Sequence, residues 1–130
     1  MCSSICDAFL TLTRIYVRPV AALLRAVSVR SLAHITGGGF HENIPRSLPE
    51  GLTARIDRKA LRVPPIFDLL QCEGGLDEDA MFRIFNMGVG MTAVVGPEDA
   101  DAAVRVLREN GVEAYPIGTV VSGTEGVVLC

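Results

Sequence analysis

The 130 residues are enough for one domain with an ordinary hydrophobic core, and 49% apolar with 21% charged residues excludes a disordered chain. The net charge is −3, and the 12 basic residues, all arginine except Lys59, are scattered rather than set in a stripe, which argues against a nucleic-acid surface. No apolar run reaches the length of a membrane span, and Arg18 and Arg25 flank the longest. Asp7 interrupts a mildly apolar start that has no basic lead, so no signal peptide is expected and the expected location is cytoplasmic. Cys2, Cys6, Cys72 and Cys130 lack metal-ligand spacing, so free thiols in a reducing compartment are expected, with no metal site.

Met1 to Thr13 shows no clear periodicity and reads as a lead-in, with residues 1–8 the least defined part of a single domain spanning 1–130. Thr13 to Val17 reads as a short strand. Arg18-Pro19 then opens a helix whose stripe is Val20, Leu23, Leu24 and Val27. A strand is predicted from Ser31 to Thr36, ending in Gly37, Gly38 and Gly39.

That glycine segment is the chain's most unusual stretch. Three residues without Cβ let the backbone turn sharply and bring N–H groups close to a ligand. Asn43 is placed to cap a short helix with Pro45 in its first turn, and N–H groups converging there would form an anion site. Arg46 would add a permanently charged fork for phosphate or carboxylate. The same residues also suit a tight turn with no ligand, and spacing alone leaves both readings open.

Further on, Leu52 to Asp57 alternates as a half-buried strand. Pro64-Pro65 starts a helix carrying Ile66, Phe67, Leu69 and Leu70, which Glu73-Gly74-Gly75 ends. Asp77-Glu78-Asp79 is an acidic helix start, since consecutive helical residues do not face one another as metal ligands must. In Phe85 to Met91, Asn86, Gly88 and Gly90 suit either a bulge leading into a strand over 91–95 or a ligand contact. Gly96-Pro97 opens a helix with Ala100, Ala103, Val104 and Leu107 as its stripe, Asp101 and Arg105 as an exposed pair, and Asn110-Gly111 as its close. Strands are predicted at Ala114 to Val121, with Pro116 at an edge or bulge, and at Gly126 to Cys130. The order predicts one α/β (α+β) sandwich domain with local βαβ connections.

Five motifs occur in a specific order: Thr-Arg-Ile-Tyr-Val from Thr13, Ala-His-Ile-Thr-Gly-Gly-Gly-Phe from Ala33, Glu-Asn-Ile-Pro-Arg from Glu42, Phe-Asn-Met-Gly-Val-Gly-Met from Phe85 and Tyr-Pro-Ile-Gly from Tyr115. In these the chain resembles, from about Phe9 to Val128, the C-terminal domain of the phosphoribosylformylglycinamidine cyclo-ligase (aminoimidazole ribonucleotide synthetase) family. The resemblance implies a three-layer α/β sandwich, partly ferredoxin-like. It also implies a reaction of de novo purine biosynthesis. ATP phosphorylates the formamide oxygen of formylglycinamidine ribonucleotide, an amidine nitrogen attacks the activated carbon, and the imidazole ring closes as phosphate leaves. Family members are homodimers with a cleft between two domains. The N-terminal one holds most of the ATP and the Mg2+, and it has no counterpart in these residues. Leu12, Leu61 and Ala80 depart from the residues usual in the family.

On this resemblance the backbone N–H groups of Gly37, Gly38 and Gly39 would line the phosphate or ribose-phosphate side of the cleft. Thr36 and Asn43 would add hydrogen bonds, and Arg46 charge. His34 would orient substrate or move a proton, or else be a buried structural histidine, while His41 is expected to be exposed. Asn86, Gly88 and Gly90 rank second as cleft residues, Arg14 is a candidate for a domain interface, and no residue stands out as a general base. The expected function is therefore the C-terminal portion of the cyclo-ligase, inactive without its N-terminal domain; the alternative is a non-catalytic, stand-alone ligand-binding or interaction module. A domain without its partner is also expected to expose an apolar face and to self-associate.

Overall fold

The computed structural model describes residues 5–130. It is an α+β domain of six helices and five strands among the described residues. In order these are α1 (Ile5–Phe9), α2 (Val17–Ala26), β1 (Val29–His34), α3 (Gly39–Asn43), β2 (Leu52–Ile56), α4 (Ile66–Gly74), α5 (Glu78–Ile84), β3 (Met91–Val95), α6 (Ala100–Glu109), β4 (Gly118–Ser122) and β5 (Val127–Leu129). Short 3-10 turns cover Pro45–Ser47, Arg58–Ala60 and Pro97–Asp99.

The strands form two small sheets. β1 pairs antiparallel with β3, from Ser31 opposite Val94 to His34 opposite Met91, with an irregularity between Val29 and Ser31. β2 is the centre of the other sheet, antiparallel to β4 and parallel to β5. The expected local βαβ units are therefore absent among the described residues. The parallel pair joins the second strand to the last, and every nearer connection lies within or between the two sheets.

One apolar cluster joins both sheets to α3 and α5. Phe40 and Met81 are fully buried in it, with Ile35, Ile56, Phe82, Met87 and Val127 around them. The rings of Phe40 and Phe82 meet edge to face at 5.5 Å between centroids, which fixes α3 against α5. On the other side α2 packs on α6, with Pro19 and Leu23 of α2 and Ala103 of α6 buried.

Several elements differ from the sequence expectation. Thr13 to Val17 is not a strand: 11–16 is irregular and the helix already starts at Val17. Ile15 and Val17 point to solvent, so the alternation has no sheet face to pair with. Pro19 falls in the first helical turn, where its missing N–H leaves no bond unmade, and it shares the buried face with Leu23 while Leu24 is exposed. Strand β4 is shorter than expected at its start, because Pro116 has no N–H for the ladder; pairing begins at Gly118, opposite Ile56. The helix after Gly96 begins as a separate 3-10 turn, and no ion pair joins Asp101 to Arg105 among the described residues. Cys6, Cys72 and Cys130 are free thiols at the surface, and Cys2 lies outside the described residues.

Candidate functional site

The glycine segment follows directly from the end of β1. After His34, the Ile35 N–H donates to the Gly90 carbonyl at 2.9 Å, so the segment stays tied to the Phe85–Met91 loop. Gly38 and Gly39 then take left-handed backbone angles, φ 89° and 55°, and the chain turns into α3. The Gly39 N–H donates to the Thr36 carbonyl at 3.1 Å, which closes the turn and occupies that donor. A Cβ at Gly39 would lie 2.1 Å from the Phe82 carbonyl oxygen, so this glycine is required by the approach of α3 to α5. Gly37 has open space around it.

Asn43 does not cap a helix start. It is the last residue of α3, and its Nδ2 donates back to the carbonyls of Thr36, Gly37 and Gly39 at 3.3, 3.2 and 2.7 Å. The Thr36 hydroxyl donates to Asn43 Oδ1 at 3.5 Å. The Asn43 amide thus serves as a plug that holds the glycine turn in shape. Arg46 is exposed and paired with Glu42 one helical turn earlier, at 3.0 Å. His41, within α3, is half-buried rather than exposed, and its Nδ1 is shielded with no hydrogen-bond partner among the described residues.

The second group of candidates lies at a different place. Asn86 Oδ1 accepts the Gly88 N–H at 3.0 Å and its carbonyl accepts the Val89 N–H at 2.9 Å, which holds Met87 and Gly88 at positive φ. A Cβ at Gly88 would fall 2.4 Å from Pro64 Cδ, and one at Gly90 would fall 1.9 Å from the Tyr16 hydroxyl. Tyr16 in turn meets His34 edge-on, 5.9 Å between centroids. The Arg62 guanidinium stacks on Tyr115 at 4.6 Å and pairs with Glu113, while the Arg62 backbone N–H donates to the Tyr115 hydroxyl at 3.2 Å.

These residues surround a cavity of about 430 Å3, within the size range of small-molecule sites. Its walls combine His34, Asn86, Gly88 and Gly90 with Arg14, Tyr16, Arg62, Glu113 and Tyr115. Thr36, the three glycines, Asn43 and Arg46 are not on its lining. The fold therefore separates the expected site residues into a cavity group and a glycine-turn group. His34 is exposed at the cavity, so it is not a buried structural histidine. Another hollow, of about 310 Å3, lies where α2 starts and α6 ends, and none of the expected site residues lines it.

Tyr16 and Tyr115 were present in the sequence motifs without any sign of a site role; their shared cavity is the signal that motif reading lacks. Arg62 and Glu113 had no local signal at all, being 51 positions apart. The acidic run behaves as a helix start. Asp77 Oδ1 accepts the Ala80 N–H at 2.7 Å, while Glu78 and Asp79 both hold Arg58, at 2.5 and 2.9 Å. No group of three or more His, Cys, Asp or Glu that could hold a metal ion occurs among the described residues.

Comparison with known families covers nearly the whole chain. Residues 3–130 match the family described as AIR synthase related protein, C-terminal domain. The chain belongs to this family. Among relatives of this AIR synthase related domain are phosphoribosylformylglycinamidine cyclo-ligases of Staphylococcus aureus. That of strain JH9 is 52% identical over 115 residues, covering 88% of this chain and 34% of the relative. That of strain MSSA476 is 53% identical over 112 residues, 86% and 33%. That of strain Newman is 51% identical over 115 residues, 88% and 34%. The AIR synthase related domain described here thus spans about a third of the length of the curated relatives it matches. No helix among the described residues is long and apolar enough to cross a membrane.

Proposed function

We propose that this chain is the C-terminal portion of an ATP-dependent cyclo-ligase that converts formylglycinamidine ribonucleotide to aminoimidazole ribonucleotide in the cytoplasm, inactive without the N-terminal domain. The observation that carries the reading is the 52% identity over 88% of the chain to enzymes named for that reaction. The local support is that three separated motifs, around Tyr16, His34 and Asn86, meet at one cavity. The finer architecture that goes with the reading is a three-layer, partly ferredoxin-like sandwich within a homodimer.

In this reading the cavity is the chain's share of the substrate cleft. In such an enzyme ATP would supply the phosphoryl group that activates the formamide oxygen, held with Mg2+ mostly by the N-terminal domain. The residues here bind, orient and shield. His34 stands at the wall where an imidazole can hold a substrate oxygen or nitrogen, and Tyr16 sets its position. Asn86 offers an amide donor. Gly88 and Gly90 let Pro64 and Tyr16 pack close against the loop that lines the cavity. The glycine turn forms the outer part of the cleft, where Gly37 and Gly38 have N–H groups to offer a phosphate, with Thr36, Asn43 and Arg46 supporting the turn.

The test is a chimera in which this chain replaces the matching third of a Staphylococcus aureus cyclo-ligase, assayed for ATP-dependent ring closure. Turnover that falls with His34→Ala supports the reading. Ligand binding without turnover favours a module that has kept the domain and lost the chemistry.

A further inference from the structure

The two arginines on the cavity wall differ in what they already hold. Arg62 is neutralised by Glu113 and covered by the Tyr115 ring. Arg14 lines the same cavity with no ion pair among the described residues. Glu113 is the one acidic residue on the lining, and it is spent on Arg62, so the cavity carries a surplus positive charge at Arg14. The neighbouring groups add hydrogen-bonding capacity. Asn86 has its Oδ1 on the Gly88 N–H, which leaves its Nδ2 toward other acceptors, and the Tyr16 hydroxyl and His34 lie on the same wall. By contrast Arg46, the arginine the sequence suggests, is paired with Glu42 and lies off the cavity.

We propose that Arg14 is the anchor for a phosphate group of a small molecule held in this cavity. A guanidinium is permanently charged and presents a planar fork that matches two phosphate oxygens, and no acid must be displaced before it does so. The phosphate group can come from a sugar monophosphate or from a nucleotide. The inference rests on the reading that this cavity is the chain's share of the substrate cleft, and it adds which residue fixes the charged end.

The experiment titrates the isotope-labelled chain with inorganic phosphate, then with ribose 5-phosphate and with ADP, following amide resonances and the His34 ring. Shifts are expected at Arg14, Tyr16, His34 and Asn86. Arg14→Ala should weaken binding about tenfold or more, Arg14→Lys should restore part of it, and Arg46→Ala should change it less than about twofold. A tighter fit for ribose 5-phosphate assigns a sugar phosphate, and a tighter fit for ADP assigns a nucleotide; both support the anchor. Shifts confined to Gly37–Arg46, no binding by any probe, or equal affinity in a folded Arg14→Ala chain overturn it. Unchanged KM for Arg14→Ala in an active chimera sinks this inference alone, whereas Arg14-dependent binding by a chimera that shows no turnover sinks the cyclo-ligase reading alone.

Discussion

The Tyr16 hydroxyl lies over Gly90 so closely that a methyl group on Gly90 would come within 1.9 Å of it. The contact joins the irregular lead-in of α2 to the loop before β3, and the Gly90 carbonyl on the same residue accepts the Ile35 N–H at 2.9 Å. Tyr16 cannot yield by swinging freely, because its ring also meets His34.

Gly90→Ala should therefore destabilise the domain by about 1–3 kcal/mol, the usual range for overpacking. Tyr16→Ala in the same chain should return part of the loss, since the methyl then has room. A double-mutant cycle from urea denaturation reads the coupling. Additive effects would show that the two residues do not share the space.

Gly39→Ala should be the most damaging glycine substitution in the turn. Its φ of 55° disfavours a side chain, and the obstacle is the Phe82 carbonyl, a backbone atom that cannot rotate aside. A loss of about 3 kcal/mol or more is expected. Gly37→Ala, where nothing lies within 4 Å, should cost less than about 1 kcal/mol. Equal losses at the two positions would refute the packing account.

Asn43→Ala removes the donor that serves three backbone carbonyls, and the residue is only 9% exposed, so about 1–3 kcal/mol should be lost. Asn43→Asp should be worse than alanine above the carboxyl's titration range, because a carboxylate would then face those same carbonyl oxygens. Denaturant midpoints for the two variants rank them, and the reverse order would mean that the amide does not hold the turn.

What the sequence made legible were the features written in neighbouring residues. The starts of α2 and α6 follow from prolines near their first turns, and the end of α4 from Gly75, which takes φ 58° as the helix closes. The family resemblance was legible because five motifs keep their order. Sheet pairing was not, since β2 lies between β4 and β5, whose residues are more than sixty positions away. Nor was the division of the site. Spacing places Arg46 near the glycines but does not reveal that Glu42 already holds it, and it cannot bring Arg62 to Glu113 and Tyr115. Gly39 illustrates the same limit: the residue reads as a ligand-facing donor, while its N–H closes the turn on Thr36.

The surface before and along α2 leads to the last prediction. Leu12 is 90% exposed and Ile15 80%, with Phe9, Leu10, Val17 and Leu24 also open to solvent. Six large apolar side chains within one short stretch exceed the scattered exposure of ordinary monomers. The chain alone should therefore self-associate as its concentration rises, measured by light scattering after size-exclusion chromatography. Leu12→Asp combined with Ile15→Asp should shift it toward monomer. Because both side chains are already in water, the thermal unfolding of the monomer should change by less than about 0.5 kcal/mol. A wild-type chain that stays monomeric throughout the accessible concentration range would show that this strip does not drive association.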